Sequence, residues 1–231
     1  MAPFSRLRQA ARGLALRALL PLMVERRPLP ALLASFDRPG DRPGEDPARL
    51  ATRLFRPLRF WPTTCLYRAL GSYALLRAAG EEVRFVIGVR TEQGRLQAHA
   101  WLERDGTPTV GAPRPGERWA VAYAWPTDPA MLRAPMEPGG ATGIEPSGDA
   151  VLTELQDGTG VLLNLQTRFY FTLNATGVQA WKLLGDGVKD AADLALRLAA
   201  GFPGADPAAV RADVEALLAD LVREALVTIR G

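Results

Sequence analysis

The clearest alternation of apolar and polar positions begins at Thr63. Leu66, Leu70, Tyr73 and Leu76 recur at helical spacing, Thr63 or Thr64 stands ready to cap the first turn, and Gly80 stands where the helix would end. EEVRFVIGVR (81–90), rich in β-branched residues, predicts a strand; EQG (92–94) predicts a turn and LQAHAWLER (96–104) a second strand. Asp105-Gly106 is a strong signal for a tight hairpin turn, after which TPTV (107–110) returns as a third strand, with Pro108 tolerable only at an edge or a bulge.

Upstream, Leu7, Leu14 and the 18–20 stretch fall loosely on one helical face, which predicts an amphipathic N-terminal helix packed on the rest of the protein. The turn-rich SFDRPGDRPGEDPAR then leads into a short helix at about 47–56. After AVAYAWP the periodicity dissolves, and residues 126–148, rich in proline and glycine, predict a linker. Periodicity resumes with VLTELQD, GVLLNLQ and RFYFTLN, three short strands separated by polar turns. Three helices follow, at 174–185, 189–200 and 206–224, the last repeating Val210, Val214, Leu217, Leu218 and Leu221. The organisation is therefore α+β, with a first domain over 1–125, a linker over 126–148 and a small second domain over 149–231.

Composition narrows the chemistry. One cysteine excludes an internal disulfide, and one histidine beside it leaves no ligand set for structural zinc, so no metal or cofactor is expected. Nothing points to an oxidising compartment, and a cytoplasmic protein is expected. The net charge of +3 is unevenly placed: residues 1–149 carry 21 basic and 15 acidic residues, residues 150–231 carry 7 and 10. Nucleic-acid binding calls for a concentrated basic stripe, which this balance does not supply. The arginine-rich segment 1–27 has the composition of a transit peptide or of a helix lying on a membrane surface, so peripheral membrane contact is a secondary reading. Arg17 and Pro21 interrupt it too early for a span.

Cys65 and His99 are the candidate reactive pair. A thiol is nucleophilic as thiolate, and a helix N-terminus favours that anion through the positive end of the backbone dipoles. Cys65 falls in the first turn of its predicted helix, where unpaired N–H groups could also stabilise an oxyanion. His99 falls mid-strand, where a rigid backbone could aim its ring at the sulfur. A buried, inert thiol is the structural alternative, because free cysteines are commonly core residues.

The pieces Cys65-Leu66-x-Arg68-Ala69, Ile87-Gly88-Val89-Arg90 and Ala98-His99-Ala100-Trp101-x-Glu103-x-Asp105-Gly106 resemble the leader peptidases of lasso-peptide biosynthesis, over roughly residues 5–125. That resemblance implies a transglutaminase-like, papain-like cysteine protease fold in which Cys65 attacks a leader-peptide amide and His99 shuttles the proton. It also implies a third acid shortly after the histidine, on the returning strand. Register from a turn at 105–106 places Ala112 opposite His99 with Gly111 beside it. The carboxylates at hand are Asp105, at the hairpin tip, and Glu117, as a substitute folding back from the following loop. Glu103 shares His99's face four residues away, and a Cys–His dyad remains open.

In the second domain Tyr170, Leu173-Asn174-x-Thr176-Gly177 and Ala180-Trp181 resemble the PqqD-like RiPP recognition elements, over about residues 150–229. The resemblance implies a winged-helix domain of three strands and three helices that binds a leader peptide by strand addition at RFYFTL, against the third helix. The residues it implicates are Phe169, Tyr170, Phe171, Thr172, Val210, Asp213 and Leu217. Alternation places Phe169, Phe171 and Leu173 inward, Tyr170 and Thr172 outward. Asp213 and Glu215 could meet basic leader residues. A DNA-binding winged helix is disfavoured by the domain's excess of acid.

Together the resemblances imply a leader peptidase fused to its own recognition element, with a precursor peptide as substrate and an ATP-dependent cyclase resembling asparagine synthetase as downstream partner. The alternatives are a non-hydrolytic peptide-binding chaperone and a membrane-associated transamidase.

Overall fold

A computed structural model describes residues 2–37, 47–55, 64–126, 143–202 and 204–230. The chain forms two compact units divided between residues 131 and 132.

In the first unit, α1 (Ala2–Arg26), α2 (Leu29–Phe36), α3 (Pro47–Leu54) and α4 (Cys65–Ala78) accompany a four-stranded antiparallel sheet. Its strands are β1 (Arg84–Glu92), β2 (Arg95–Arg104), β3 (Thr107–Pro108) and β4 (Ala120–Trp125), in the order β3-β2-β1-β4. α4 starts where the sequence predicts, with the Thr64 hydroxyl accepting from the Tyr67 N–H at 3.3 Å. It is buried continuously from Ala69 to Leu76, as a helix enclosed by other elements must be. Gly71 lets Phe55 lie against this helix; a Cβ there would fall 2.0 Å from the ring.

The packed face of α1 coincides with the expected one only at Leu20. Gly13, Arg17, Leu20 and Val24 are buried at helical spacing, and the Arg17 guanidinium donates to the Leu54 carbonyl. Leu14, Leu19 and Leu22 are instead exposed, and the side chain of Leu7 lies outside the described residues. The apolar positions were too many to mark one face, and the close approach at Gly13 chose between them. No described helix is long and apolar enough to cross a membrane.

β1 is central and buried from Phe85 to Val89, hence its unbroken apolar run. β2 pairs along its whole length, bringing Gly88 opposite His99. Beyond the Asp105-Gly106 turn the third strand is shorter than expected. Pro108 lies on the sheet edge, and Thr109 and Val110 both bond to Leu102, so an extra residue bulges out. Gly111, at φ +71°, then turns the chain away. One carboxylate ties α2, α4 and β4 together: Asp37 accepts from Tyr73 Oη at 2.5 Å, Arg77 Nε at 3.0 Å and Trp125 Nε1 at 2.8 Å.

The second unit holds β5 (Gly143–Pro146), β6 (Ala150–Glu154), β7 (Gly160–Asn164), β8 (Tyr170–Leu173), α5 (Ala175–Gly185), α6 (Ala191–Ala200), α7 (Pro207–Arg223) and β9 (Val227–Arg230). β6, β7 and β8 form an antiparallel sheet in that order, and the three helices match the predicted ones. Leu162, Trp181, Leu194, Leu198, Leu218 and Leu226 lie in its core. Residues 143–146, assigned above to the linker, instead form β5 and pair with β9. Local composition could not show this, because the partner strand is more than eighty residues away. Residues 127–142 of the expected linker lie outside the described residues.

Candidate functional site

Cys65 is the first residue of α4 and its thiol is half-buried. The hydrogen bond with His99 is the largest influence on it and, with donation from the Ala100 and Leu66 backbone and the imidazole charge, holds the thiol below its usual 9.0 against burial, which pushes it up. A thiolate only accepts hydrogen bonds, so these backbone contributions come from N–H groups aimed at the sulfur.

His99 Nε2 lies 2.8 Å from the carbonyl oxygen of Gly111. A carbonyl only accepts, so Nε2 carries the hydrogen and Nδ1 is the nitrogen left to take the thiol proton. The bond to Cys65, first, and that to Gly111 raise the imidazole above its usual 6.5, while burial and the Arg68 charge oppose them. The ring stacks on Trp101, with centroids 6.0 Å apart and planes at 22°, and meets Trp119 at 5.6 Å. Each indole is fixed in turn. Trp101 Nε1 donates to Glu103 at 2.9 Å, Trp119 Nε1 donates to Glu117 at 3.2 Å, and the Arg90 guanidinium lies 4.6 Å over the Trp119 ring. Gly88 makes room for both: a Cβ there would lie 2.5 Å from the Trp101 ring and 3.1 Å from Trp119 Cβ.

The structure does not bring the expected acid to His99. Asp105 stands exposed in the hairpin turn at φ +49°. Glu117 is engaged by Arg114 N–H, Trp119 and Arg90, and so touches the imidazole only through Trp119. Glu103 holds Trp101. The position a third acid would fill belongs to the Gly111 carbonyl, on one of the residues that strand register placed near His99. Trp119 escaped notice because it arrives just before β4, which pairs with β1 from far along the chain, and Arg90, quoted above only as part of a motif, was not read as a site residue although it lies in the same hairpin as His99.

On the second unit a groove of about 690 Å³ runs between β8 and α7. Of the residues the resemblance implicated, Phe171, Thr172, Val210, Asp213 and Leu217 line it. Tyr170 is half-buried outside it, and Phe169 is 44% exposed rather than inward. Arg168 takes φ +63° and β8 starts only at Tyr170, so the alternation begins after Phe169. Leu198 of α6 and Phe202 just beyond it also line the groove and were missed, whereas Thr176 and Ala180 of α5 were quoted above only as part of the family motif. β8 is the edge of its sheet among the described residues. Among those residues, no cluster of three His, Cys, Asp or Glu could hold a metal ion.

Residues 10–124 match the family model of the transglutaminase-like superfamily, and residues 159–227 match that of coenzyme PQQ synthesis protein D (PqqD). The chain joins a transglutaminase-like domain to a PqqD-type recognition element. Each match falls within one structural unit, and each agrees with the resemblance carried by the residues of that half. Among solved structures, TbiB1 in complex with the TbiA(beta) leader peptide is similar to this chain at 31% identity, over 36% of this chain and 93% of that one, with a TM-score of 0.33. No curated protein matches.

Proposed function

We propose that this protein is a cysteine peptidase that holds the leader of a ribosomally made precursor on its PqqD-type unit and cuts it from the core during lasso-peptide biosynthesis. The observation that carries the reading is the Cys65–His99 pair, with the imidazole tied through Nε2 to Gly111 so that Nδ1 serves the sulfur.

The chemistry follows from that arrangement. His99 takes the thiol proton, and the thiolate attacks the scissile carbonyl. N–H groups at the start of α4 stabilise the oxyanion. The imidazolium then protonates the leaving amine, which departs with the core and leaves a leader thioester on Cys65. His99 next takes a proton from water, hydroxide adds to the thioester, and the leader leaves as a carboxylate while the thiol is restored. The free amine suits a downstream cyclase resembling asparagine synthetase, the partner expected from sequence.

Support for the leader-binding half comes from the PqqD match and from the position of β8 beside the groove, at the edge of its sheet among the described residues. An edge strand offers unpaired N–H and C=O groups for strand addition, and the groove offers side-chain pockets. Holding the substrate on the same chain raises the local concentration of the scissile bond available to Cys65.

Incubation with the cognate precursor, followed by mass spectrometry, tests the reading. Wild-type protein should release leader and core, and Cys65→Ala should bind leader without cutting it. Unchanged cleavage by Cys65→Ala would overturn the proposal. Leader binding by both proteins with no cleavage by either would favour the non-hydrolytic chaperone.

A further inference from the structure

Arg68 follows Cys65 by three residues on α4, so the two side chains share a helical face. It lines a cleft of about 630 Å³ with Arg90, Gln97, His99, Glu117 and Trp119. Its guanidinium approaches Gly111 closely: a Cβ there would lie 3.5 Å from Nη2 and 3.7 Å from Nε.

The cations of this cleft are used differently. Arg90 is saturated by Glu92 at 3.1 Å, Glu117 at 3.3 Å and Gln97 at 2.9 Å. Arg114 stands exposed near the rim. Arg68 is half-buried, and among the described residues no carboxylate pairs with it. A half-buried guanidinium that faces a cleft with no described anion beside it offers a carboxylate ligand a planar fork of donors suited to two oxygens.

We propose that Arg68 is a specificity residue of the cleft, receiving a carboxylate side chain of the peptide substrate beside the scissile bond. The proposal rests on the peptidase reading above. A side chain fits better than the carboxylate released by cleavage, because the cleft lining does not include Cys65 itself. A group held there is displaced from the carbonyl under attack. Binding would also assist the chemistry. The Arg68 charge opposes protonation of His99, and a carboxylate lying on the guanidinium would cancel that opposition and favour the thiolate–imidazolium pair.

Because Cys65 is the chain's only cysteine, its alkylation can be followed by intact mass on the full-length protein. Two probe pairs are used: iodoacetate against iodoacetamide, and peptidyl fluoromethyl ketones identical except for Glu or Gln at one position. In wild-type protein the anionic member of each pair is favoured relative to Arg68→Gln by about threefold or more, as a nearby unit charge requires. Arg68→Lys retains part of the preference, and added salt erodes it. Ratios that are equal in wild-type and Arg68→Gln overturn the inference. Should Arg68→Gln fail to fold, a wild-type ratio insensitive to salt overturns it equally. Iodoacetate labelling that depends on Arg68, with no labelling by any peptidyl ketone, leaves the anion site standing and defeats the peptidase reading instead.

Discussion

His99 donates from Nε2 to the carbonyl oxygen of Gly111 at 2.8 Å, so a main-chain group orients the imidazole where many cysteine and serine hydrolases use a carboxylate. The carbonyl fixes tautomer and ring direction, although it lacks the full negative charge that would steady an imidazolium. Removing Asp105 should therefore matter little: Asp105→Ala is expected to keep precursor cleavage within about twofold, as for an exposed turn residue. His99→Ala should cost about 10²- to 10⁴-fold, the usual share of a general base. A large loss in Asp105→Ala would return that residue to the triad.

The shifts of the two groups fix the sign of the pH dependence. The thiol lies below 9.0 and the imidazole above 6.5, in each case chiefly through their mutual hydrogen bond. Thiolate appears as pH rises through the lowered thiol value, and imidazolium disappears as pH rises through the raised imidazole value. Alkylation of Cys65 by iodoacetamide should therefore persist to lower pH in wild-type protein than in His99→Gln, whose rate rises only nearer the ordinary thiol range. Superimposable profiles would show that the pair is not coupled.

Gly88→Ala tests the packing around the imidazole. The new methyl would meet the Trp101 ring at 2.5 Å and Trp119 at 3.1 Å, with both indoles already bonded to carboxylates. Overpacking of this kind costs about 1–3 kcal/mol. Denaturant unfolding should report the loss, together with slower Cys65 alkylation at neutral pH as the ring leaves its position. Wild-type stability and reactivity would mean that the indoles move aside freely.

Much of this site was legible because its parts are local. The Thr64 cap, the helix it opens and the Asp105-Gly106 hairpin are set by residues within a few positions of one another, which sufficed to place Cys65 at a helix start and His99 on an inner strand. The bulge at Thr109 and Val110, the turn at Gly111 and the arrival of Trp119 depend on contacts between separate strands, where no short-range signal exists. The same reason hid β5 inside an expected linker. Phe169 was misread for a different cause: alternation holds only once a strand has begun, and Arg168 delays that start.

Asp37 should prove the main polar anchor of the first unit. Tyr73, Arg77 and Trp125 all donate to it, and burial, with the Asp37 carboxylate, pushes the Tyr73 hydroxyl well above its usual range, so it stays a donor. Asp37→Ala takes the acceptor from a phenol and an indole and leaves the Arg77 guanidinium with only the Glu81 carbonyl, at an expected cost of about 2–4 kcal/mol. Chemical denaturation, with the leader binding proposed for the second unit as an internal control, would locate the damage. Intact leader binding with a destabilised first unit is the expected pattern, and unchanged stability would refute the anchor.

The strand-addition reading makes a prediction about one backbone amide. Asn164 N–H donates to the Phe169 carbonyl, so in an antiparallel ladder the bonded pairs are 164 with 169 and 162 with 171, and Thr172 turns its N–H to the free edge of β8. Thr172→Pro removes that donor without taking a bond from the existing sheet. Leader affinity, measured by fluorescence anisotropy on the full-length chain, should fall about tenfold or more, the worth of one lost backbone bond plus a blocked edge. The far-ultraviolet circular dichroism should stay unchanged. Leu217→Arg, which puts a charge into the groove wall across from that edge, should weaken binding comparably. Full affinity in both variants would mean that the leader docks elsewhere on the molecule.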